Sequence, residues 1–203
     1  QTLSTLKKLY FKTNRSILRY LMINMPNKSN LIISGGSTVK SVMKYCDKYN
    51  NFLNHQILLS DERLVGLNSK LRNDIFFKNM IKKKIISSKN FIHYNYSKVL
   101  NNQIKKINEK ISSISFDIAI LGLGLNNHIA SIFEPKENTS HYYEVDNSPK
   151  KPNNRLTVSI QKISECKKIF LIANLKKRSY EIKNICKSRI LKKIKKRIIL
   201  LII

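Results

Sequence analysis

Four short apolar runs, each ending in a polar motif, constrain this chain more than any other feature. Leu31-Ile32-Ile33 leads into Ser34-Gly35-Gly36-Ser37-Thr38, and Ile57-Leu58-Leu59 into Ser60-Asp61-Glu62-Arg63. Ile118-Ala119-Ile120-Leu121 leads into Gly122-Leu123-Gly124-Leu125-Asn126-Asn127-His128, and Ile169-Phe170-Leu171-Ile172 into Asn174-Leu175-Lys176-Lys177. Apolar runs of this length without alternation are the pattern of strands buried on both faces. Helix-period segments fall between them, near residues 3–23, 38–49, 71–85, 99–113 and 176–189, and Arg197 to Ile203 ends the chain as another strand. Strands alternating with helices predict βαβ crossovers: an α/β fold, doubly wound, with a mostly parallel sheet and helices on both faces. No repeat or Gly/Ser/Pro linker interrupts residues 1–203, so a single domain is expected.

In such sheets ligands bind beyond the carboxyl ends of the strands, where the strand order switches. All four polar motifs follow a predicted strand directly, and that shared placement predicts one common site.

The chain carries 31 Lys and 8 Arg against 12 acidic residues, a formal charge of +27. Such a charge attracts polyanions and anionic substrates. Specific nucleic-acid readout is not expected, because it favours the planar fork of Arg and here Lys outnumbers Arg almost fourfold. Three widely spaced cysteines argue against a disulfide framework, and no His/Cys/Asp/Glu cluster has ligand spacing, so no metal is expected. The longest apolar run has six residues, Ile198 to Ile203, too few to span a bilayer, and no secretory h-region is visible. A cytoplasmic setting without membrane partners is the expectation.

Each motif has two readings. Ser34 to Thr38 is either a phosphate cradle, with Gly35 and Gly36 allowing positive φ and Ser37 and Thr38 donating hydroxyls, or a strand-to-helix turn with a Ser/Thr cap. It matches neither the dinucleotide fingerprint nor a Walker loop. Asp61-Glu62-Arg63 is either a capping pair beside a solvated Arg, or a site in which Asp61 acts as base or counter-charge and Arg63 takes a phosphate oxygen. His128 either packs locally or, at the start of a helix whose amino end disfavours imidazolium, stays neutral as a general base. His55, His93 and His141 are assigned no role.

Taken in order, these motifs resemble the 6-phosphogluconolactonase family, within the group it shares with glucosamine-6-phosphate deaminases. The resemblance spans residues 30 to 180 and includes Arg72-Asn73, His128-Ile129-Ala130-Ser131-Ile132-Phe133, Arg155-Leu156-Thr157 and Lys177. Arg63, where the deaminases have Tyr, and Ser131-Ile132-Phe133 after His-Ile-Ala favour the lactonase side. The resemblance implies hydrolysis of 6-phosphoglucono-1,5-lactone to 6-phosphogluconate in the pentose phosphate pathway, with no metal or organic cofactor. It implies that His128 activates water, with Asn126 at the position of an Asp that assists it. It places Gly35, Gly36, Ser37, Thr38, Asp61, Arg63, Asn73, Arg155 and Lys177 around the phosphorylated sugar. The alternatives are a deaminase or isomerase using Asp61 as carbon base, and a sugar-phosphate-binding protein weakened at Asn126. Asn126-Asn127 stands where the family has Asp-Gly. The change at 126 is expected to lower activity and that at 127 to be tolerated if its backbone is left-handed.

Overall fold

The computed structural model describes residues 6–48, 50–96, 99–137 and 140–203. In chain order the elements are β1 (Lys7–Tyr10), α1 (Asn14–Asn24), β2 (Asn30–Ile33), α2 (Ser37–Met43), β3 (Gln56–Leu59), β4 (Asp61–Arg63), α3 (Asp74–Lys82) and β5 (Phe91–Ile92). They continue with α4 (Leu100–Ser112), β6 (Ile118–Gly122), β7 (Tyr142–Val145), β8 (Arg155–Val158), α5 (Ile160–Ser164), β9 (Lys168–Ala173), α6 (Leu175–Asn184) and β10 (Ile198–Ile202).

Seven strands form one sheet in the order β1-β10-β9-β6-β2-β3-β5, and every adjacent pair is parallel. The period-2 alternation of side chains divides each buried strand between two cores. Leu31, Ile33, Ile118, Ile120, Phe170 and Ile172 pack with α1, α2 and α3 on one face. Ile32, Ala119, Leu121, Ile169 and Leu171 pack with α4, α5 and α6 on the other. The doubly wound α/β expectation holds. Among the described residues no helix is long and apolar enough to cross a membrane.

Two local expectations are corrected. The helix read over 3–23 begins only at Asn14, behind a Thr13–Ser16 capping box, while Lys7–Tyr10 is an edge strand paired with β10; residues 3–5 lie outside the described ones. Nothing local makes β1 a strand, since its pattern of exposed Lys is legible only once the neighbouring edge exists. The segments read as 38–49 and 176–189 end early as α-helices, at Met43 and Asn184, and continue as 3-10 turns; residue 49 lies outside the described residues. Beside the expected parallel sheet, β4, β8 and β7 form a second, antiparallel sheet in the order β4-β8-β7, with Arg155 opening β8.

Candidate active site

The chain leaves β2 for β3 and β5 on one side, then returns to place β6 on the other side of β2. The strand order therefore switches between β2 and β6, and the loops after these two strands flank the crevice where ligands bind such sheets. A cleft of about 110 Å³ lies there. It brings together Gly36, Ser37, Thr38, Asp61, Arg63, His128 and Arg155 of the expected residues, and adds Ser34, Lys150 and Arg178.

The glycines of the loop after β2 act differently from the expectation. No glycine among the described residues has positive φ. Gly35 is needed for close approach instead, because a Cβ there would fall 2.5 Å from the Cβ of Asn73. Asn73 thus lies behind the loop rather than in the cleft, its amide donating to the Asp61 carbonyl at 2.9 Å. Helix α2 has only seven residues, so the local N–H groups and the Ser37 and Thr38 hydroxyls, not a long dipole, are what this loop offers an anion.

Asp61 and Arg63 begin and end β4, whose partner β8 supplies Arg155. Asp61 is buried, and three hydroxyls converge on its carboxylate: Ser60 at 2.7 Å, Ser131 at 3.0 Å and Ser34 at 3.4 Å. Glu62 points the other way and accepts backbone N–H bonds from Arg63, Asn73 and Asp74 at 2.7, 2.7 and 2.8 Å, pinning the turn before α3 to β4. Burial pushes its carboxyl up to about 7, against those three donors. Arg72 forks onto Asp74 at 3.0 and 2.6 Å, so it is a structural member of this buried cluster.

His128 is reached by a loop rather than a helix, which corrects the expectation that a helix amino end sets its charge. Leu125–Asn127 form one 3-10 turn and His128 follows it with extended backbone. Gly124 N–H donates to the His128 carbonyl at 2.9 Å, closing the loop, and the imidazole lies flat on Gly124: a Cβ there would sit 2.1 Å from the ring. Asn126 and Asn127 both take left-handed backbone (φ 55° and 59°), as does Ala130 (φ 49°). Each costs on the order of 1 kcal/mol or more, held only where surrounding contacts over-determine it. Nδ1 lies 2.6 Å from the Leu125 carbonyl. A carbonyl only accepts, so Nδ1 carries the proton and Nε2 keeps its lone pair. Desolvation holds the imidazole pKa below its usual value; Arg155 and Lys150 add to this, while the Leu125 bond and Asp61 oppose it.

Besides Gly35 and Asn73, two further expected residues stand outside the cleft. Asn126 is exposed and, with Asn127, lines a neighbouring cavity of about 570 Å³ on the far side of the loop. Lys177 is exposed near the start of α6, where Asn174 accepts its backbone N–H. The next residue breaks helical geometry (φ −135°, ψ 26°), and it is Arg178 that enters the cleft, its Nε donating to the Leu123 carbonyl at 3.3 Å. A kink is not legible in Leu175-Lys176-Lys177-Arg178, although the scarcity of Arg in so Lys-rich a chain was a usable signal. Asp117 lies at the opposite end of the sheet, bonded to Asn30 and Lys167. Among the described residues no group of three or more His, Cys, Asp or Glu side chains is placed to hold a metal ion.

Residues 14–193, most of the chain, match the family of glucosamine-6-phosphate isomerases/6-phosphogluconolactonase. The chain belongs to this family. Among similar proteins, 6-phosphogluconolactonase of Borreliella burgdorferi is 28% identical over 155 residues, 69% of this chain and 65% of that protein. 6-phosphogluconolactonase 4 of Saccharomyces cerevisiae is 27% identical over 176 residues, 74% of this chain and 69% of that one. The matched segment thus spans about two thirds of these relatives. The family fold is shared with the crystal structure of 6-phosphogluconolactonase from Thermotoga maritima (TM-score 0.81, 19% identity, 98% of this chain and 99% of that one). It is shared also with a monomeric glucosamine-6-phosphate deaminase (TM-score 0.77, 17% identity, 97% of each chain).

Proposed function

We propose that this chain hydrolyses 6-phosphoglucono-1,5-lactone, with His128 as general base and no metal or organic cofactor. The observation that carries the reading is Nε2 of His128, left with its lone pair because Nδ1 is held by the Leu125 carbonyl, in a cleft that among the described residues also holds Arg63, Arg155, Arg178, Lys150 and one carboxylate, Asp61. Nε2 takes a proton from water as the oxygen attacks the lactone carbonyl carbon. The tetrahedral oxyanion collapses with cleavage of the bond to the ring oxygen, which leaves with the proton returned by the imidazolium. A lactone is an activated ester, so a positioned water and a base worth about 10²- to 10⁴-fold suffice without a covalent nucleophile. The phosphate is anchored by Arg63 and Arg178 with the Ser37 and Thr38 hydroxyls, while Arg155 faces the developing oxyanion.

The test is lactone hydrolysis followed against spontaneous opening, beside the same measurement on His128→Ala. Acceleration by the wild-type chain and its loss in the variant are expected. Ammonia release from glucosamine 6-phosphate without lactone turnover would overturn the reading.

A further inference from the structure

The loop that carries His128 is strained and short, and it is closed internally by the Gly124 N–H on the His128 carbonyl and by Nδ1 on the Leu125 carbonyl. Helix α6 crosses its outer side. Arg178 of α6 donates to the Leu123 carbonyl, just before the loop. Three residues on, Glu181 accepts the backbone N–H of Asn126, the first left-handed residue, at 3.3 Å. Glu181 is 5% exposed, and it is flanked in sequence by Ile182, which packs into the core. Helical periodicity gives a buried position here no reason to hold a carboxylate, and burying one is costly unless it accepts hydrogen bonds. In a chain with 12 acidic residues, one is spent on a backbone N–H two residues before the proposed base.

We infer that Glu181 is a positioning residue for His128: by holding the Asn126 N–H it keeps residues 126 and 127 left-handed, and so keeps the imidazole flat on Gly124 with Nδ1 on the Leu125 carbonyl. This rests on the proposed role of His128 as base. Arg178 and Glu181, three residues apart on α6, bracket the loop with bonds of opposite sense. A donor takes the carbonyl before the loop and an acceptor takes the N–H within it. Without the acceptor, Asn126 relaxes toward negative φ and the turn opens. Displacement of a catalytic group by about 1 Å costs on the order of 10²-fold in rate.

The experiment compares Glu181→Met, which keeps length and burial but accepts no hydrogen bond, with Glu181→Gln, which keeps an acceptor oxygen. Lactone hydrolysis and the nitrogen NMR signals of the His128 ring are both measured. For Glu181→Met the expected result is a kcat lowered about 10- to 100-fold with KM within about twofold, and loss of the pure Nδ1–H tautomer signature. Glu181→Gln should recover kcat to within about threefold. An unchanged kcat and an unchanged ring signature in Glu181→Met overturn the inference while leaving the base assignment standing. Full activity in His128→Ala overturns the base assignment, and the ring signature of Glu181→Met still decides the positioning. If Glu181→Met does not fold, amide exchange in the wild-type chain decides: a protected Asn126 N–H supports the clamp, and exchange at the rate of an open loop overturns it.

Discussion

Arg63 of β4 and Arg155 of β8 stand directly opposite each other in the antiparallel ladder, two like charges on one face at the edge of the cleft. Cross-strand like charges destabilise a sheet. Backbone carbonyls absorb part of the cost: Leu71 accepts from Arg63 at 2.6 Å, and Pro152 and Lys150 from Arg155 at 2.9 and 2.5 Å. Asp61 adds a counter-charge, whereas burial and Arg63 pull the Arg155 pKa down. A substrate with its phosphate on Arg63 and its developing oxyanion on Arg155 brings negative charge to both and offsets the remaining repulsion. Arg63→Ala should therefore raise KM for the phosphorylated lactone by about 10-fold or more, the scale of a charge-assisted hydrogen bond, with little change for an unphosphorylated lactone. Steady-state kinetics on both substrates decide it; equal effects on the two exclude a phosphate contact.

Gly124→Ala places a methyl group where the His128 ring lies. The ring must leave the cleft or the turn must open, so kcat should fall about 10²-fold or more, approaching the His128→Ala value, while circular dichroism stays native. Retained activity would mean that the imidazole does not rest on Gly124 in the working enzyme.

The pH dependence follows from the lowered pKa of His128. A lower pKa keeps the base neutral further into acid, so the rising limb of kcat/KM should have its midpoint below about 6.5, the unperturbed value for His. Asp61 opposes the shift, so Asp61→Asn should move that limb to still lower pH. A limb at or above the unperturbed value contradicts the half-buried, cation-flanked setting.

Asn126→Asp introduces the carboxylate that the resemblance to the lactonases places at 126, but residue 126 lines the neighbouring cavity. The expected kcat is within about threefold of wild type. A 10-fold rise would show that a carboxylate at 126 reaches the imidazole after all.

Lys177→Ala and Arg178→Ala separate two adjacent cations. Loss of Arg178 should raise KM about 10-fold, whereas loss of the exposed Lys177 should leave it within about twofold. The opposite order, measured by the same kinetics, would return the anchor to Lys177.

The fold class, and the loops that line the candidate site, were legible before any coordinates. Runs such as Ile118 to Leu121 are too apolar to lie anywhere but between two cores, and in a parallel sheet the residues after each strand must emerge at one edge. Only the tertiary structure decided which of those residues face inward. Lys177 and Arg178 are equivalent until a helix kink turns one into the cleft, and Asn126 neighbours His128 in sequence yet stands across the loop from it. Arg155 met Arg63 only through a second sheet that local pattern did not announce. Burial and strand periodicity are properties of a segment. Side-chain direction in a loop depends on backbone angles set by distant partners, as the N–H of Asn126 on Glu181 illustrates.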